Sequence, residues 1–129
     1  MRAAYAVEEG RGGTQMTLDE MRAHVDRLII KLRVTRFHFA DDLDVHWIDD
    51  REEAMVITDA DPVEIHLPHI RSALDYATCL HELGHVSGRY QGSASSKTRE
   101  RWAWRYAREH ALVWTAEMDE DARASMWRP

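Results

Sequence analysis

The pentad His81-Glu82-Leu83-Gly84-His85 has the residue types and spacing with which a helix presents two metal ligands and a base together. At about 100° per residue, His85 lies roughly 40° and Glu82 roughly 100° round the helix from His81, so both imidazoles and the carboxylate share one arc of surface. Leu83 and Gly84 point away from that arc. Side chains four residues apart have Cβ atoms about 5–6 Å from each other, near enough for both rings to reach one ion. The chemistry would be zinc-assisted hydrolysis. Zinc lowers the pKa of its water towards about 7, and Glu82 takes the proton and passes it to a leaving amine. The same spacing also arises in helices whose histidines only pack or face solvent, so the neighbouring elements have to decide.

Two elements bear on that decision. Residues 72–80 contain no Pro or Gly and read as helix up to the pentad, which places the ligands mid-helix. Apolar residues fall on nearly every side of this helix, as expected of one buried centrally. Gly88 is its expected stop, and Gln91-Gly92-Ser93-Ala94-Ser95-Ser96 reads as a mobile loop. A second helix is expected from Thr98 to about Met118, with Glu100 in its first turn as the third ligand. Ala103, Ala107 and Ala111 follow on that face, small enough for close helix approach. Three protein ligands leave the fourth position of a catalytic zinc open. The alternative for Glu100 is a solvated carboxylate favoured by the helix N-terminus.

With these residues in view, the chain resembles metallopeptidases of the ImmA/IrrE type. That family joins a His-Glu-Leu-Gly-His helix to a later Glu-x-x-Ala-x-x-x-Ala helix, here Glu100-Arg101-Trp102-Ala103-Trp104-Arg105-Tyr106-Ala107. The strand-then-helix approach through Val63-Glu64-Ile65-His66-Leu67-Pro68 is also similar, and the resemblance spans about residues 44 to 115. It implies a small zincin-like α+β domain and a zinc-dependent endopeptidase, with His81, His85 and Glu100 as ligands and Glu82 as the base. Members often cleave repressors, which makes a protein or peptide substrate the expected partner. The chain departs from the family at Trp104 and Tyr106, where Asn and Phe are usual, and at Leu112-Val113-Trp114-Thr115, which replaces a Leu-Met-Pro segment.

The rest of the chain fits one domain. Residues 1–16, with Gly10-Arg11-Gly12-Gly13, read as a flexible N-terminal segment, and residues 17–129 as the single zincin-like domain. Thr17 and Glu20 form a capping box for a helix to about Val34, whose stripe Met21, Val25, Leu28, Ile29, Leu32 is core. Extended candidates at 44–48, 54–58 and 63–67 predict a small three-stranded, mainly antiparallel sheet. An edge strand of it beside the metal would pair with an extended substrate. His66 and His69, though close in sequence, lack a helical frame and a third partner; His24, His38 and His46 read as packing or surface residues.

A net charge of −6 argues against a protein that grips nucleic acid through phosphates, and the arginines from Arg99 to Arg108 read as a solvated helix face. The single cysteine, Cys79, rules out an internal disulfide and reads as a core residue. No apolar run of signal-peptide or membrane-spanning type is present, so a cytoplasmic location is expected. Tyr106, His110 and Tyr90 are the candidate oxyanion stabilisers, and Asp75 or the acidic run from Asp41 to Asp50 could orient the histidines. Besides the endopeptidase, two function classes stay open: a non-catalytic zinc-stabilised interaction module of phage or antirestriction type, and a metal-free scaffold.

Overall fold

Thr17 opens the first helix, α1 (Leu18–Thr35), as its capping box requires: the Glu20 amide donates to the Thr17 hydroxyl at 3.1 Å, and the Thr17 amide donates to the Glu20 carboxylate at 2.8 Å. The computed structural model describes residues 16–37 and 42–126. The segment expected to be flexible, apart from Met16, and His38 and Asp41 therefore lie outside the described residues. After α1 come β1 (Leu43–Ile48), a 3₁₀ turn (Arg51–Glu53), β2 (Met55–Ile57) and β3 (Val63–Pro68). Three further helices follow, α2 (Ala73–Ser87), α3 (Ser96–His110) and α4 (Ala116–Met126). The protein is thus α+β, with four α-helices and a small sheet among the described residues.

That sheet is mixed, with strand order β1-β3-β2, rather than mainly antiparallel. Its longer pairing, Leu43 to Ile48 against Val63 to Pro68, is parallel, and only the short β2–β3 pairing is antiparallel. The reason lies in residues 49–62. Asp50 accepts from the Glu52 amide at 2.9 Å and caps the 3₁₀ turn, so the chain leaves β1 without making a hairpin. The excursion through β2 is long enough for β3 to return alongside β1 in the same direction. Leu43, Ile65 and Leu67 face the core, and Asp44, His46, Glu64 and His66 lie on the opposite face.

The middle of α2 is buried on every side, from Tyr76 to Gly84, and packs against α1, α3, α4 and the sheet. This matches its apolar circumference. Cys79 is part of that core: its thiol donates to the Pro68 carbonyl at 3.4 Å, and burial, then Asp75 and Glu82, push its pKa up. Tyr76 ties α1 to the later chain, its hydroxyl bonded to His24 Nδ1 at 2.7 Å and accepting from the Leu112 amide at 3.0 Å.

That last bond also marks where the second helix ends. Instead of continuing to Met118, α3 stops at His110, and Ala111 turns extended at ψ 137°. The chain then buries Val113 and Trp114 before α4 begins. Burial of two large apolar side chains outweighs the helical preference of a segment without Gly or Pro.

Helices α2 and α3 meet through small residues. A Cβ added at Gly84 would collide with the carbonyl oxygen of Ala103 and lie 2.9 Å from its Cα, and one at Gly88 would lie 3.1 Å from the Trp102 carbonyl oxygen. Backbone cannot swing aside as a flexible side chain would. Gly84→Ala should therefore destabilise the fold by about 1–3 kcal/mol despite the better helix propensity of alanine. Chemical denaturation of both proteins checks this, and an alanine variant as stable as wild type would refute the close approach.

Candidate metal centre

The close helix contact sets the reach of Glu100. It lies in α3, one turn before Ala103, and its carboxylate meets both histidines of α2. One oxygen is 3.0 Å from His81 Nε2 and the other 2.7 Å from His85 Nε2. The donor atoms of these three residues all lie within 4.8 Å of one another. Ligand atoms on a tetrahedral zinc sit about 3.3 Å apart, so the set needs only a small outward adjustment to take an ion. Among the described residues, no cysteine and no further histidine joins this group. Two imidazoles and one carboxylate, open on one side, fit a zinc ion of the catalytic kind.

Burial makes the charges interdependent. Burial alone would pull the His81 imidazole down, but hydrogen bonds to Glu100 and Glu82, with the charges of both, outweigh it and hold the pKa at about 9. Burial likewise pushes Glu100 up, and the two histidines overcome it, holding the carboxyl well below the usual range. An ion binding here would therefore have to displace a proton from His81. Glu82, also buried, lies 3.1 Å from His81 Nδ1.

The orientation of His85 comes from a residue that the sequence placed in a mobile loop. Gln91 Nε2 donates to the carbonyls of Arg89 at 3.2 Å and Arg99 at 2.9 Å, which leaves Oε1 as its acceptor. That oxygen is 3.0 Å from His85 Nδ1, so Nδ1 donates to it, and Nε2, 2.7 Å from Glu100, is the nitrogen left to face an ion. The loop is further tied where Arg99 donates to the Ser93 carbonyl and Ser95 caps α3. Trp104, which stands where the resembled family has asparagine, stacks on His81 with ring centroids 4.1 Å apart and planes 7° from parallel. The only signal for Gln91 was its sequence proximity to the pentad. For Trp104 the signal is its position four residues after Glu100, on the same helical face.

Other expectations place differently. Gly84 is not turned away from the metal side but lies beneath α3, against the residue one turn from Glu100. Asp75 accepts from the Arg71 amide and Arg51, Asp49 pairs with Arg71, Asp44 bonds His46 and Asp50 caps the 3₁₀ turn, so none of these orients His81 or His85. The proposed oxyanion stabilisers also lie elsewhere. Tyr106 and His110 stack on each other in a separate cavity beside Leu28 and Lys31, and exposed Tyr90, at φ 60°, packs on Trp102.

Two adjoining hollows open on the donor set. One, of about 370 Å³, is lined by Thr78, His81, Glu82, Glu100 and Trp104 together with Arg51 and Lys97. The other, of about 420 Å³, runs between the donor set and β2, with Ala54, Met55, Val56 and Thr58 along one wall and Arg99 on the other. β2 is an outer strand, and among the described residues its second edge has no strand partner.

No protein-family model matches the chain, and no curated protein or solved structure matches it. The resemblance to the ImmA/IrrE type therefore rests on the pentad, the Glu100 helix and their surroundings.

Zinc affinity should rise with pH towards about 9, as the proton on His81 ceases to compete. Gln91→Ala should weaken zinc about 10–100-fold by releasing the His85 tautomer, a loss typical of groups that orient ligands. Glu100→Ala should weaken it further. Competition with a chromophoric chelator at several pH values measures all three, and unchanged affinity in Gln91→Ala would refute the orienting role.

Proposed function

We propose that the protein is a zinc-dependent endopeptidase that hydrolyses a peptide bond in a protein substrate. The observation that carries this reading is the convergence of both His Nε2 atoms on the two oxygens of Glu100, with Glu82 buried in the same hollow. A structural zinc site has no use for a base and fills its fourth position with another Cys or His.

His81, His85 and Glu100 would hold the ion. Zinc, when bound, supplies a Lewis acid that makes water acidic and polarises a carbonyl. Glu82 takes a proton from the attacking water as its oxygen bonds to the scissile carbonyl carbon. As the C–N bond breaks, Glu82 returns that proton to the amine nitrogen, leaving one carboxylic and one amino product. Gln91 keeps the His85 lone pair on the correct nitrogen, and Trp104 holds the plane of the His81 ring.

The hollow along β2 accounts for the form of the substrate. An extended segment laid beside Met55–Ile57 would add a strand to the sheet and pass the donor set at a fixed distance. A folded regulator would offer such a segment in a linker or a loosened terminus. A regulatory protein, such as a repressor, is the substrate class suggested by the resemblance.

The test uses zinc-loaded protein and a quenched-fluorescent library of extended peptides. Wild type should cleave members of it, and Glu82→Gln should retain its zinc while losing about 10²–10⁴-fold in rate, the usual contribution of a positioned acid–base group. Equal rates in the two proteins would sink the assigned base. Zinc-loaded wild type that cleaves neither the library nor unfolded proteins would favour the interaction module.

A further inference from the structure

The outer face of the sheet carries a second set of metal-type donors, separate from the cleft. Parallel register sets Asp44 beside Glu64 and His46 beside His66, and strand alternation turns all four away from the Leu43, Ile65 and Leu67 core. The His46 and His66 rings stack with centroids 4.7 Å apart and planes 11° from parallel. Glu64 Oε1 is 3.2 Å from His66 Nε2 and 3.8 Å from His46 Nε2. Asp44 Oδ2 lies 2.8 Å from the same His46 nitrogen. One donor atom from each of His46, Glu64 and His66 falls within 4.8 Å of the other two, the same criterion of convergence that the cleft residues meet.

We propose that His46, Glu64 and His66 bind a second divalent transition-metal ion of the zinc class, with Asp44 as the adjacent oxygen donor. Imidazole and carboxylate donors suit such an ion, and their separations bracket the roughly 3.3 Å expected between ligands on tetrahedral zinc. The side chains are a quarter to somewhat under half exposed, so the ion enters directly from solvent. Its attachment points belong to two strands joined only by the long excursion through β2. An ion there clips the parallel pair together and stabilises the folded chain by mass action. The clip acts on β3, which continues into the pentad helix and is also the neighbour of β2, the strand that borders the cleft. It does not depend on the peptidase reading.

The experiment is equilibrium dialysis of the full chain against Zn²⁺ at neutral pH, with thermal unfolding followed in parallel. Four proteins are compared: wild type, His46→Ala/His66→Ala, His81→Ala/His85→Ala, and the variant that combines all four substitutions. Wild type should hold about two ions and each double variant about one, since each site is built on two imidazoles. Zinc should also raise the melting temperature of His81→Ala/His85→Ala, and that rise should vanish when His46→Ala and His66→Ala are added. His46 and His66 lie outside the core, so their variant folds and remains informative if the cleft variant does not. A zinc content in folded His46→Ala/His66→Ala equal to that of wild type would overturn the proposal. So would a folded cleft variant that holds none. One ion in wild type and none in His46→Ala/His66→Ala would support this site while removing the metal from the cleft, which keeps the two readings distinguishable.

Discussion

The backbone contact between α2 and α3 at Gly84 and Ala103 governs the centre of this molecule. A glutamate side chain is short, and two imidazoles on one helix fix the direction in which their lone pairs point. Glu100 reaches both Nε2 atoms only because its helix lies nearly against the backbone of the other. Any side chain at position 84 would hold α3 away. Gly88, one turn on, faces the Trp102 carbonyl and keeps the two helices close along their length. The burial of α2 on its remaining sides by α1, α4 and the sheet holds that helix firmly while α3 is pressed on it.

Bringing ionisable groups together in a buried place requires that each charge be matched. Here two carboxylates and two imidazoles share the cost, which is why His81 holds its proton to about pH 9 while Glu100 remains ionised. The geometry is reinforced by groups that carry no charge. Gln91 is held by two backbone carbonyls and so sets the His85 tautomer, and Trp104 lies flat against His81. These side chains are therefore held in place by the fold itself, which would lower the ordering cost of binding an ion.

The sheet repeats the same donor chemistry in another frame. On a helix, a separation of four residues brings two imidazoles together; across a parallel pair, register does so for residues twenty positions apart in the chain. Neither histidine of that pair has a signature in its local sequence. His66 and His69, which do stand close together in sequence, are not the pair that forms: His69 stacks instead on Trp47.

Much of this protein is legible from contiguous residues. The capping box at Thr17, the stripe of α1, the strand positions, the buried character of α2 and the shared arc of His81, Glu82 and His85 all follow from periodicities of 2 and 3.6 residues and from local hydrogen bonds. Glu100 was also within reach, because small residues following it at helical spacing mark a face meant for close approach. What the sequence could not determine were the relations that close through space. The parallel course of β1 and β3, the break after His110, the Gln91 bond to His85, the Trp104 stack and the displacement of Tyr106 and His110 into another cavity depend on which distant groups compete for the same burial and the same hydrogen bonds. Periodicity is a property of one segment, whereas those outcomes are settled only when all segments pack at once.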